Sequence, residues 1–160
     1  MIYRCLVILL VFIPLPSSLV AAQLVNKGCH VVWPTELSCV EGSQIFCEFE
    51  AAYSNAINEK KPGIIVFFSE YQTEKFASLT NGSFSLPKAI SCGFNVVVLC
   101  PGLISPLDFP YKMDPVIVYM GNFIEKFPEV STVEGPRLCY ILLDEQGTAR
   151  CQAILPLGTN

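Results

Sequence analysis

The chain is poor in charge: Asp, Glu, Lys and Arg make up 15% of its 160 residues, and no run of Lys and Arg occurs in it. Without a basic patch to neutralise phosphates, neither nucleic acid nor an anionic membrane is expected as a partner. Histidine and tryptophan occur once each, at His30 and Trp33. One imidazole beside Cys29 does not make a metal site, which needs further nitrogen or carboxylate ligands at suitable spacing. Both residues are expected to pack or to lie at the surface. Although there are eight cysteines, no Cys-x-x-Cys occurs, and that absence disfavours dithiol exchange. No cofactor is implied.

At the N-terminus there is one cation, Arg4, then an apolar run from Cys5 to Ile13, prolines at 14 and 16, and small residues ending in Val20-Ala21-Ala22. This is the pattern of a secretory signal peptide, residues 1–22, cut after Ala22. The uninterrupted apolar run is about half of the ~20 residues that a bilayer span requires. The mature chain, about 138 residues from Gln23, has the size of one domain. Nine basic and fourteen acidic residues remain in it, a net charge of about −5. Cys5 leaves with the leader and seven cysteines stay: Cys29, Cys39, Cys47, Cys92, Cys100, Cys139 and Cys151. In an oxidising compartment most should pair, and the odd count leaves at least one thiol over.

Residues 23–42 form a lead segment punctuated by Gly28, Pro34 and Gly42. From Ser43 the pattern changes. Phe46, Phe49, Tyr53, Ala56 and Ile57 recur at three- and four-residue steps, which predicts an amphipathic helix with Lys60 and Lys61 at its C-terminal end and Pro62-Gly63 as its stop. Ile64 to Phe68 is an unbroken β-branched and aromatic run, too short for a helix, and reads as a strand covered on both faces. Thr73 to Thr80 reads as a short helix, ended by Asn81-Gly82, with a further turn or two from Ser85. Asn81-Gly82-Ser83 is a glycosylation sequon on the turn between them.

Phe94 to Cys100 is a second buried strand, ended by Pro101-Gly102. Residues 103–120, with prolines at 106, 110 and 115, read as an insertion in which Val116 to Tyr119 forms a short strand or caps the core. Asn122 to Phe127 suggests a turn of helix. A hairpin closes the domain: Leu138 to Leu143, a turn at Asp144 to Gly147, and Thr148 to Leu155. Residues 43–157 are thus one α/β domain, and 158–160 a tail.

The stretch Lys60 to Phe76, KKPGIIVFFSEYQTEKF, sets a charged helix end, a buried strand, a loop and a new helix in succession. With FEAAYSNAINEKKPGIIVFF before the loop, and Gly135-Pro136-Arg137-Leu138-Cys139-Tyr140-Ile141-Leu142-Leu143-Asp144 after it, the chain resembles the thioredoxin-like fold. The resemblance is closest to the anterior gradient type of small secretory protein within the protein disulfide isomerase superfamily, and covers about Phe46 to Ile154. It implies a βαβ unit joined to a C-terminal β-hairpin. Gly135 and Pro136 then stand as a candidate cis-proline loop that contacts peptides through backbone hydrogen bonds. Gln72 and Lys75 fall where the family has its two cysteines, so Gln72, Thr73, Glu74 and Lys75 form a degenerate active-site loop. Neither Gln72 nor Lys75 can perform thiol exchange. The family's final helix is missing, and the lead segment or the insertion is left to cover that sheet face. The last four residues, Leu157 to Asn160, are no reticulum-retention signal, so export is expected.

If the hairpin loop has an odd length centred on Glu145, Cys139 and Cys151 face each other and are a candidate disulfide; an even loop separates them. Cys92 and Cys100 would lie about 25 Å apart along an extended strand and should not pair with each other. Cys29, Cys39 and Cys47 are the natural partners for these two, pinning the lead segment to the domain. Buried free thiols, packing as small apolar groups, are the alternative.

Three functions are compatible with these features. The first is a secreted, redox-inactive thioredoxin-like protein that binds a protein or peptide. A second is an isomerase or peroxidase-like enzyme using one unpaired cysteine, and a third is a disulfide-stapled effector or structural protein. Glu70, Tyr71 and Glu74 at a helix start are better read as dipole partners and solvated surface than as acid–base catalysts. No catalytic residue is assigned.

Overall fold

Strand β3 (Gly63–Phe68) is buried along its whole length, as its lack of polar alternation predicts. It lies parallel to β4 (Phe94–Leu99) on one side and antiparallel to β5 (Arg137–Leu143) on the other. The computed structural model describes residues 36–40, 43–74, 76, 93–103 and 114–158, all within one unit spanning 33–160. The expected signal peptide, His30, Trp33, Lys75 and the Asn81 sequon lie outside the described residues. With β1 (Glu36–Val40), β2 (Ser43–Phe46) and β6 (Ala149–Pro156), the strands form a six-stranded sheet in the order β1-β2-β4-β3-β5-β6. β2 runs parallel to β4, while β1 against β2 and β6 against β5 are antiparallel. The protein is therefore mixed α/β.

Two helices and a 3₁₀ turn cover one sheet face. Helix α1 (Phe49–Asn58) buries Phe49, Ala52 and Ala56, and the two small residues let it lie close on β3 and β4. Its amphipathic body was legible in the residue spacing, but the expected start at Ser43 is corrected. Residues 43–46 are strand β2, because Ile45 and Phe46 are both buried and belong to cores on opposite faces, as only an extended backbone allows. Beyond the helix, Lys60 adopts the left-handed conformation (φ 56°), a position that usually falls to glycine. Lys61 follows the end of the helix, and its ammonium bonds Asn95 Oδ1 at 2.7 Å and Glu59 at 2.9 Å.

Helix α2 (Pro115–Lys126) replaces the strand expected as one alternative at 116–119; as in the other alternative, Val116 and Tyr119 cover the core. Proline at its first position has a preset φ and lacks only an N–H that would be unpaired there, and the Asp114 carboxylate accepts from the Val116 N–H at 2.9 Å. Val116, Tyr119, Met120 and Phe123 then fall on one buried face. Phe123 packs among Phe49, Phe68 and Phe127, with ring centroids 5.2–6.1 Å apart. The 3₁₀ turn Pro128–Thr132 buries Val130 against the same core. A smaller core on the opposite face gathers Ile45, Ile65, Phe67, Phe76, Val96 and Val98.

The β5–β6 hairpin lies where the residue pattern puts it, but its register separates the candidate disulfide. Cys139 is paired with Ile154 and Cys151 with Ile141. Two displacements cause this. The turn between Leu143 and Ala149 is centred on Gln146 rather than Glu145, and Gln152 is an extra, bulged residue between Cys151 and Ala153. Both cysteines carry free thiols. β6 runs to Pro156, and no helix follows it among the described residues.

Candidate functional site

The parallel strands β3 and β4 end side by side, and antiparallel β5 begins beside them, so three loops meet at one end of the sheet. Ser69 continues β3 by one residue, its N–H bonding the Leu99 carbonyl at 3.0 Å. Its buried hydroxyl donates to the Tyr71 carbonyl at 2.6 Å, which turns the chain sharply out of the sheet. From β4, the Cys100 thiol reaches the same Tyr71 carbonyl at 3.3 Å. The Gly102 N–H donates to the Asp114 carboxylate at 2.6 Å, tying the β4 exit to the start of α2. Fixed in this way, the loop 69–72 is positioned by both parallel strands.

Of the four residues expected to form a degenerate active-site loop, Gln72 and Glu74 are exposed, and the Thr73 hydroxyl accepts from the Phe76 N–H at 3.4 Å. Gln72 lies against the β4 exit, where a Cβ on Gly102 would stand 3.3 Å from Gln72 Oε1. Gly135 lies beside the neighbouring tyrosine: its φ is 75°, and a Cβ there would sit 3.6 Å from the Tyr71 hydroxyl. Pro136 is buried, and its carbonyl accepts from the Leu157 N–H at 2.7 Å. Sequence reasoning thus named Gln72 and Gly135-Pro136, which the fold brings to the same end of the sheet; Lys75 lies outside the described residues.

It did not name the residue that joins them. Arg137, the first residue of β5, is only 1% exposed, and its guanidinium lies 4.4 Å from the centre of the Phe68 ring. One Nη donates to the Gly135 carbonyl at 2.6 Å and the other to the Glu70 carboxylate at 2.5 Å. Its Nε is buried and makes no hydrogen bond. The available signal was a lone cation between Gly-Pro and an apolar strand, which is out of place on a buried ladder.

Comparison of the chain with family models, curated proteins and solved structures finds no match. The chemistry therefore has to be read from the side chains. Burial and the Asp114 carboxylate push the Cys100 thiol up to about 11. Burial likewise pushes Cys47 and Cys139 up to about 12, and raises Cys151. A thiol held protonated is a poor nucleophile. What the loop end does offer is an exposed phenol, an amide, two carboxylates and a turned backbone. A separate cleft of about 420 Å³ lies at the other end of the sheet, between the end of α1 and the β5–β6 turn. Lys60, Lys61 and Asp144 line it, and no residue of the two named loops does.

Proposed function

We propose that the unit is a secreted, redox-inactive thioredoxin-like domain, similar to the anterior gradient type, that holds extended segments of other proteins against Tyr71, Gln72 and Gly135. The observation that carries this reading is the strand order. A central parallel trio β2-β4-β3, extended by the antiparallel hairpin β5–β6, is the arrangement of thioredoxin folds, and it leaves the loop after β3 beside the Gly-Pro turn that opens β5. The loop that carries cysteines in that fold has Gln72 instead, and the thiol that bonds this loop, Cys100, is buried and kept protonated. Binding is what such a frame retains without its nucleophile.

The test uses the full secreted chain on an array of unrelated immobilised octapeptides, alongside an insulin disulfide-reduction assay. Expected are no reductase turnover and saturable binding to a subset of peptides, weakened several-fold by Tyr71→Ala. Turnover abolished by thiol alkylation, or an array on which no peptide is retained, would overturn the reading.

A further inference from the structure

Resting on that reading, the state of Arg137 points to the chemistry of the peptide. Arg137 is the one charged side chain among the described residues that is fully buried. A guanidinium has five N–H donors, and its Nε–H and one Nη–H point the same way, forming a fork that a carboxylate fills with both oxygens. Here Glu70 supplies one oxygen, to an Nη, and Nε goes without a partner. A buried cation with an open donor is costly, so the site is one acceptor short. Glu70 is itself 48% exposed at its side chain and sits on the loop that faces the proposed ligand. Among the described residues, nothing but this single contact holds its carboxylate.

We propose that Arg137 reads a carboxylate on the bound peptide: the ligand's two oxygens take the Nε and Nη fork, and Glu70, a placeholder in the free protein, turns out to solvent. The remaining Nη keeps the Gly135 carbonyl, so the turn that contacts the peptide stays fixed while the exchange occurs. Glu74 and Glu134 are both exposed near the two loops in sequence, and they oppose a run of acidic residues. The chemistry is therefore that of one carboxylate, from an Asp or Glu side chain or from a free C-terminus.

Three series of octapeptides separate these sources: one internal Glu with an amidated end, the same peptide with Gln, and the Gln peptide with a free C-terminal carboxylate. The full chain is expected to bind at least one carboxylate series several-fold more tightly than the amidated Gln series. Glu70→Gln, an exposed change that keeps the hydrogen-bonding shape, is expected to widen that ratio by several-fold more. Arg137→Lys is expected to remove the preference. Because that variant disturbs a buried group, the Arg137 Nε–H resonance of the unmodified protein is followed as well, and it should shift when the preferred peptide is added. Equal binding of all three series, an unchanged ratio in Glu70→Gln, or a static Nε–H signal would overturn the inference while leaving peptide binding intact. Retention of no peptide at all would overturn both.

Discussion

At the scale of single residues, two buried groups decide more than their size implies. Asn95 is 1% exposed in the otherwise apolar strand β4. Its amide donates to the Ala52 carbonyl at 2.6 Å and to Asn55 Oδ1 at 2.9 Å, and its oxygen accepts from Lys61 at 2.7 Å. One side chain thereby fastens the strand to both the middle and the end of α1. Asn95→Ala would remove all three of these bonds, leaving the Lys61 ammonium with Glu59 alone, and should cost about 2 kcal/mol. The check is a lower urea midpoint with an unchanged slope. The thiols make a second prediction, with a definite sign. Cys47, Cys100 and Cys139 are raised from 9.0 to about 12, 11 and 12, chiefly by burial. For a group whose folded pKa lies above its unfolded value, the contribution to stability is complete below the unfolded pKa and lost as pH rises through the folded one. The urea midpoint should therefore hold near pH 8 and fall from about pH 9 towards 12, a window set by those values. In native protein at pH 8, Cys100 should resist iodoacetamide, since roughly one molecule in a thousand carries the thiolate; rapid labelling would contradict its burial.

Helix α2 is the element in which local chemistry and tertiary packing cooperate most visibly. Asp114 caps the helix through Val116 and also holds the Gly102 N–H, so the cap and the loop after β4 share one carboxylate. Asp114→Ala should cost about 1 kcal/mol from the cap. Amide exchange at Gly102 and Val116 should quicken together, whereas a simple cap loss would affect Val116 alone. This element was the least legible in the sequence, for a physical reason. Val116, Ile117 and Val118 are β-branched and follow closely spaced prolines, which favours extended backbone locally, and the helix is decided by the Asp-Pro start and by the buried face it presents to Phe49 and Phe68. β3 and β4 were legible because strands covered on both faces need no polar positions. β1 and β2 were not, since a short edge hairpin acquires its order from pairing with β4 rather than from its own pattern. For the candidate site, Gln72 and Gly135 were named from the resemblance to thioredoxin-like folds, not from a signal of their own. Arg137 was not named, because its partner Glu70 is 67 positions away and a charged residue in a strand ordinarily reads as exposed.

For the molecule as a whole, the sheet is the wall between two cores that do not share side chains. One lies under α1, α2 and the 3₁₀ turn, and the other holds Phe67 with Ile65, Val96 and Phe76. β3 serves both, since Phe68 faces the first and Phe67 the second, and each of its six residues is paired with β4 and with β5. Gly63 at its start admits no side chain there, because a Cβ would run into the Ile141 carbonyl. Separate cores on one rigid wall should melt together yet respond to substitution independently. Phe67→Leu and Phe123→Leu are each expected to lower stability by about 1 kcal/mol, a typical cost for a core change. Because the two rings lie on opposite faces, their effects should add to within about 0.5 kcal/mol. Urea unfolding followed by far-ultraviolet circular dichroism and by tyrosine fluorescence should give coincident transitions for the wild type, both single variants and the double variant. A double variant with two separated transitions would mean that the smaller core unfolds on its own. In that case the loops at the end of β3 and β4 would be held by the helical face alone.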